Sequence, residues 1–221
     1  MMRQILKKIL SPFLKKASAV YLKKRRKYTY KDISVWVEPT VFPPFLTIST
    51  RILLDFIDGL PQKDLRFLEL GCGCGIISIL AAKKGARVTA TDINEIALTA
   101  LAQNAAENSV DVEAVFSDLF ENLSGREFDC IIINPPYYPK EPQSVAERAW
   151  FCGSDFNYFE ALFAQLPVFS TAENNIYLIL SEDCDLPTIQ SIAFKNRMGF
   201  DTIKEKKVAG EKNYIFRITR L

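Results

Sequence analysis

The chain is 221 residues long, 48% hydrophobic and 24% charged, which suits one α/β domain with a sizeable core and a short extension. It contains no histidine, and this excludes Ser-His and Cys-His nucleophilic schemes, histidine metal sites and the usual general base near neutral pH. The formal charge of +2 conceals a division: residues 1–31 hold 11 of the 28 Lys and Arg and no acid, leaving 17 basic and 26 acidic residues, a net −9, over 32–221.

Residues 1–36 read as a basic amphipathic extension and 37–221 as the folded domain. On a helical wheel Leu6, Ile9, Leu10, Phe13, Leu14, Ala17, Val20 and Tyr21 share a face, with Lys8, Lys15, Lys16 and Lys23 mostly elsewhere, and Pro12 starts a new helix after Ser11. The segment has neither the unbroken apolar stretch of a secretory signal nor the ~20-residue span of a membrane helix. Three readings stay open: an arm packed on the body with a solvated lysine face, a contact for RNA or the ribosome, and binding to a membrane surface. The run Lys23-Lys-Arg-Arg-Lys27 sharpens the anion-binding option.

The apolar run 65–70 is followed by Glu69-Leu-Gly71-Cys-Gly73-Cys-Gly75 and a helix over 76–84, the strand, tight turn and helix of a nucleotide-binding crossover. The strand 87–91 ends in Asp92, 21 residues beyond Gly71, where a carboxylate accepts ribose hydroxyl protons. A nicotinamide fingerprint needs its third glycine five positions after the first, but Gly75 is four on, so the spacing favours S-adenosylmethionine. Glycines let the backbone approach a ligand closely and take positive φ, beside a helix N-terminus suited to a carboxylate. A helix over 94–108 and a strand over 111–116 lead to Ser117-Asp118-Leu119-Phe120. Asp118 reads as a partner for the adenine amino group, or as a turn or helix cap.

The strand 128–133 ends in Asn134-Pro135-Pro136-Tyr137. Asn134 offers a carbonyl acceptor, and Pro135 biases it toward extended backbone while adding a carbonyl and no N–H. Two acceptors that converge without a competing donor suit the two hydrogens of an amide or exocyclic amine nitrogen, with Tyr137 placed to stack on the planar group. The bland alternative is a Pro-Pro loop that ends a strand. Helices over 155–166 and 185–198 flank a strand at 175–181, and this alternation implies a parallel sheet. The runs 200–207 and 213–219, joined by Val208-Ala-Gly-Glu-Lys212, read as an antiparallel hairpin at its edge. Phe156, Tyr158, Phe159 and Phe163 read as a substrate platform or, for most of them by their helical spacing, as core packing, while Trp150 reads as a border of the substrate mouth or a buried anchor.

Taken together, Glu69 to Gly75, Thr91-Asp-Ile-Asn94, Ser117 to Phe120 and Asn134 to Tyr137 resemble class I S-adenosylmethionine-dependent methyltransferases of the HemK-like group and its small methyltransferase relatives. The resemblance covers roughly 37–221 and implies an α/β, Rossmann-like seven-stranded sheet, mostly parallel with a C-terminal antiparallel hairpin. It implies catalytic Asn134, Pro135, Pro136 and Tyr137. It also implies a cofactor set of Thr50, Glu69, Gly71, Cys72, Gly73, Gly75, Asp92, Ile93, Asp118 and Leu119 together with Asn134, and S-adenosylhomocysteine as product. Thr50 matches the threonine before the family's first helix. Ala149-Trp-Phe-Cys-Gly153 and Val208 to Asn213 resemble the shorter, eukaryotic-type members, which use a small activating protein partner.

The expected reaction is N-methylation of a protein glutamine, as in a peptide-chain release factor. Base N-methylation of RNA or DNA, at adenine N6 or guanine N2, is the alternative within the class, and a noncatalytic cofactor-binding scaffold for RNA or the ribosome the alternative outside it. Five cysteines, an odd number without CxxC spacing, fit a reducing cytoplasm, and Cys72-x-Cys74 reads as small filler in the turn, with no metal expected.

Overall fold

The computed structural model describes residues 23–208 and 210–221. The wheel residues Leu6 to Tyr21 lie outside the described residues. Strands β3 (Arg66–Leu70), β4 (Arg87–Asp92), β5 (Glu113–Phe116), β6 (Cys130–Ile133), β7 (Asn175–Ser181), β8 (Met198–Val208) and β9 (Glu211–Arg220) form one seven-stranded sheet in the order β5-β4-β3-β6-β7-β9-β8. β5 through β7 are parallel, whereas β9 runs antiparallel to both β7 and β8, as the short link between them requires. The strand order therefore reverses at β3, where chain progress turns from β4 to β6. In an open α/β sheet such a switch point leaves a crevice beyond the carboxyl ends of the strands.

Two apolar layers fill the space on either side of the sheet. One carries α1 (Ile48–Asp58), α2 (Ile76–Lys83) and α3 (Glu95–Glu107); α1 buries Ile52, Leu53 and Ile57, and α3 starts where the Asn94 side chain accepts from Ile96 N at 3.1 Å. The other carries α5 (Asn157–Phe169) and α6 (Leu186–Lys195), which bury Phe159, Leu162, Phe163 and Ile189. A single turn, α4 (Val145–Arg148), lies between β6 and α5.

An additional hairpin, β1 (Arg26–Tyr30) and β2 (Ile33–Val37), spans the expected 36/37 boundary between extension and domain. Its Tyr30, Ile33, Val35 and Val37 join the first apolar layer. Alternation in Ile33-Ser-Val35-Trp-Val37 carries this strand in the sequence, although the strands expected above begin only at 65. Asn104 of α3, 1% exposed, fastens the hairpin to the site. Its Oδ1 accepts from Trp36 N at 2.8 Å, and its Nδ2 donates to Trp36 O at 2.9 Å and to Cys74 O at 3.0 Å. One buried amide thus holds the hairpin, α3 and the glycine turn together, and every polar atom it carries is paired.

Candidate active site

At the carboxyl ends of β3, β4 and β6 lies a cavity of about 380 Å³, within the range of small-molecule sites. Its floor is the glycine turn, with φ of 71° at Gly71, 53° at Gly73 and 77° at Gly75. These left-handed values are costly for any residue with a Cβ. Beyond that shared strain the glycines differ. A Cβ on Gly71 would meet nothing within 4 Å, whereas one on Gly75 would stand 2.1 Å from Cδ1 of the fully buried Leu101. Gly71 keeps the cavity open, and Gly75 lets α3 pack on the turn.

Asp92 closes the turn against β4. Its Oδ2 accepts from Gly73 N and its Oδ1 from Asn94 N, both at 2.9 Å. Each oxygen retains a lone pair for a ligand hydroxyl. Burial raises the Asp92 pKa, and the N–H bonds oppose that rise. Glu69, 4% exposed on β3, accepts from Ser78 N at 2.9 Å and from the Ser78 hydroxyl. Burial is the main cause that pushes its carboxyl up to about 8; the Ser78 bonds work against the rise and the nearby Asp92 adds to it. Ile93, Asp118 and Leu119 line the cavity beside Asp92, together with Cys72 and Thr50. Thr50 lies inside the first turn of α1, which begins at Ile48, so the expectation of a threonine before the helix is corrected by two residues.

From β6, Asn134 and Pro136 reach the cavity wall. The Asn134 Oδ1 is buried and has no hydrogen-bond partner in the structure. Unpaired buried acceptors are rare, since the lost hydration costs about 1–3 kcal/mol. Pro135 is buried and Tyr137 half-buried, and neither lines the cavity. Tyr137 packs against the second apolar layer, and burial pushes its phenol up to about 12, with the neighbouring Ser49 hydroxyl opposing.

The roof comes from two segments, one before α1 and one after the tetrapeptide, where Trp150 was expected to border the substrate mouth or to be a buried anchor. Thr40, Val41, Phe42 and Pro44 follow the hairpin, while Glu141, Val145, Arg148 and Phe151 belong to the loop after the tetrapeptide. That loop folds back on itself: Tyr138 N donates to Trp150 O at 3.1 Å, and Cys152 N to Tyr138 O at 3.0 Å. Trp150 meets Phe42 across the roof with ring centroids 4.9 Å apart, and Arg148 reaches Asp118 at 3.8 Å. Phe159 and Phe163 fill the core as expected, and Tyr158 both packs against that core and lines the cavity. Its ring meets that of Phe159 with centroids 5.4 Å apart, so one helix face serves both core and cavity.

Among the described residues no cluster of histidine, cysteine or carboxylate could hold a metal ion, and all five cysteines are free and buried. Among the same residues no helix is long and apolar enough to cross a membrane.

The methyltransferase small domain model matches residues 32–150. The chain belongs to the small methyltransferase family. Its members are S-adenosylmethionine-dependent methyltransferases, in agreement with the motif resemblance. A Methanocaldococcus jannaschii protein named as a candidate protein N5-glutamine methyltransferase is 42% identical over 110 residues, 49% of this chain and 53% of the relative. Ribosomal RNA small subunit methyltransferase C of Haemophilus influenzae is 34% identical over 166 residues, 70% of this chain and 49% of the relative. The chain thus spans about half the length of these curated relatives. Among solved structures, the E. cuniculi Mtq2–Trm112 complex, responsible for methylation of the eRF1 translation termination factor, has a TM-score of 0.61 at 20% identity. That match covers 82% of this chain and 99% of the other, a likeness of fold.

Proposed function

We propose that this protein is an N-methyltransferase whose acceptor is the side-chain amide of a protein glutamine, such as that of a peptide-chain release factor. The buried, unpartnered Asn134 Oδ1 on the cavity wall carries this reading, because it needs a donor and a primary amide supplies one. The carbonyl of Pro135, on the peptide bond to the cavity-lining Pro136, is the second acceptor. With both hydrogens held, the nitrogen lone pair is aimed along one direction, and alignment is the main contribution that a methyl transfer needs from its enzyme.

The residues on the floor fit S-adenosylmethionine. Asp92 accepts from the ribose hydroxyls, Gly71 leaves room for close approach, and Asp118 accepts from the adenine amino group. Glu69 and Thr50 serve the methionine end. When bound, the cofactor supplies an electrophilic methyl group on a sulfonium. Phe42, Phe151 and Trp150 exclude water above the acceptor, and fixed dipoles at Asn134 and Pro135 stabilise the positive charge that develops on nitrogen. No histidine is present to take the nitrogen proton, and the chemistry does not require one, because the proton is acidified by methylation and leaves afterwards.

Glutamine is favoured over a nucleobase by the 42% identical M. jannaschii relative and by the near-complete cover of the Mtq2 chain, whose structure holds a second protein. A base acceptor has support of its own: the alignment to the H. influenzae ribosomal RNA enzyme spans more of this chain, and a solved 16S rRNA N2 G1207 methyltransferase matches with a TM-score of 0.64 over 89% of it. Radiolabelled cofactor should label a Gly-Gly-Gln release factor and not a Gly-Gly-Ala variant, assayed alone and with any small protein that co-purifies. Labelling of ribosomal RNA with an unlabelled release factor rejects the glutamine assignment.

A further inference from the structure

We propose that Lys23, Lys24, Arg25 and Lys27 form a phosphate-binding strip at the lip of the methyl-transfer cavity, which holds the backbone of single-stranded RNA. The proposal goes beyond the function above, because glutamine methylation of a free protein requires no nucleic acid. Placement is the first argument. Hairpin register sets Arg26 opposite Val37 and Lys27 opposite Trp36, and the Arg25 guanidinium lies on the Trp36 ring, so the strip adjoins the chain that leads from Val37 to Thr40 and Phe42. Thr40 and Phe42 line the cavity and follow Trp36 by four and six residues, so at ~3.3 Å per residue the chain opposite Lys27 reaches the cavity lip within about 20 Å.

Charge is the second argument. Cations across the body are matched by carboxylates: Lys31 with Asp58, Arg51 and Lys206 with Asp55, Arg66 with Asp129 and Arg126 with Glu113. None of Lys23, Lys24, Arg25 or Lys27 has a carboxylate partner among the described residues, and all four are exposed. Other cations without a carboxylate partner, such as Lys63 and Lys195, lack this density in sequence. The positive field is therefore concentrated on one side of a body whose remainder is net negative. The third argument is the aromatic beneath: the Arg25 guanidinium stands 4.4 Å over the Trp36 ring, which fixes a planar donor fork in the strip. Fork geometry matches phosphate oxygens. Residues 23–27 are all basic, which suits the regularly spaced phosphates of a polyanion.

The test is fluorescence anisotropy of the full chain with a labelled oligouridylate of about 12 nucleotides, within the site sizes of single-strand binders. Titrations run between about 50 and 200 mM salt, where counterion release is read as a slope. The triple substitution K23E/K24E/R25E should weaken binding at low salt by about tenfold or more and reduce the slope of log affinity on log salt by about 2, at roughly 0.7 per phosphate. The charge-matched K63E/K195E/K207E should bind close to wild type, and K23Q/K24Q/R25Q should fall between. S-adenosylmethionine binding, unchanged in every variant, certifies the fold. Wild-type-like binding by K23E/K24E/R25E overturns the strip, as does an equal loss in the distant triple. Tighter, strip-dependent binding to phosphatidylserine vesicles than to RNA reassigns it to membrane. None of these outcomes depends on which acceptor is methylated, so the strip can fail while the glutamine assignment stands.

Discussion

The floor and the roof of the cavity are built in different ways. The floor is pinned by backbone: Cys72 N to Thr91 O at 2.8 Å, Gly75 N to Cys72 O at 2.9 Å, Gly73 N to Asp92, and the Asn104 clamp on Cys74. The roof meets its surroundings mainly through side chains, a tilted Phe42 and Trp150 pair and a long Arg148 to Asp118 contact. A hydrogen-bonded cradle thus faces a cover that meets it through side chains, the arrangement of covers through which ligands enter and leave. Chemistry should be sensitive to the floor and the β6 wall, and exchange of ligands to the roof.

The largest effect is expected at the wall. Asn134→Ala should lower kcat by about 10²–10³-fold, the loss typical of one preorganised polar group, while cofactor affinity stays near wild type. Because the removed acceptor is unpartnered, thermal stability should be unchanged or slightly raised. A variant that retains activity but melts several degrees lower would show that Asn134 serves the fold. Next comes Gly75→Ala. Crowding against Leu101 costs about 1–3 kcal/mol and the left-handed φ another 1–2, so urea unfolding should reveal a loss of about 2–5 kcal/mol. Gly71→Ala carries only the backbone penalty and should instead lose cofactor affinity. Equal stability losses in the two variants would remove the distinction between an open cradle and a packed one.

This contrast explains what could be read from the sequence. The glycine turn, Asp92 and Asn134 are legible as cavity-lining positions because they follow or end β3, β4 and β6, at the carboxyl edge where the crevice of a sheet in this order lies. Helix and strand periods gave the seven strands and their antiparallel finish, with α6 ending at Lys195 rather than 198. The meeting of Phe42 with Phe151 was illegible, since only tertiary folding carries residues 42 and 151 to the same roof. Tyr137 was misjudged for the opposite reason. The tetrapeptide reads as one unit, yet extended backbone sends successive side chains to opposite faces, and its ring enters the second apolar layer while Pro136 faces the cavity.

A pH series tests the floor from another side. Glu69 holds its proton up to about 8 in the folded protein, against 4.5 for the ordinary carboxyl, so the folded state binds the extra proton in between. Stability from this group is complete below about 4.5 and is lost as pH rises toward 8, with a slope of at most about 1.4 kcal/mol per pH unit. Asp129 has the opposite sign: Arg66 holds its carboxyl below the usual range, and its contribution disappears only in acid. Glu69→Gln should therefore flatten cofactor-free unfolding curves between pH 5 and 8 and leave the acid limb alone. A wild-type stability that rises through this window would mean that Glu69 is ionised in its buried place.

The smallest effect belongs to the roof. Trp150→Ala removes an aromatic pair worth about 0.5–1.5 kcal/mol, and should speed release of S-adenosylhomocysteine by roughly 2- to 10-fold. Arg148→Ala should do less. Both side chains of the Arg148–Asp118 pair are 54% exposed at 3.8 Å, and such pairs contribute about 0–1 kcal/mol. Any gain in release rate should stay below about fivefold and vanish near 1 M salt, where screening acts within about 3 Å. If Arg148→Ala instead speeds release by orders of magnitude and salt does not erase the difference, the ion pair would be buried in the liganded enzyme. The cover would then close more tightly over ligand than it does here, and floor and roof would be equal in rigidity during catalysis.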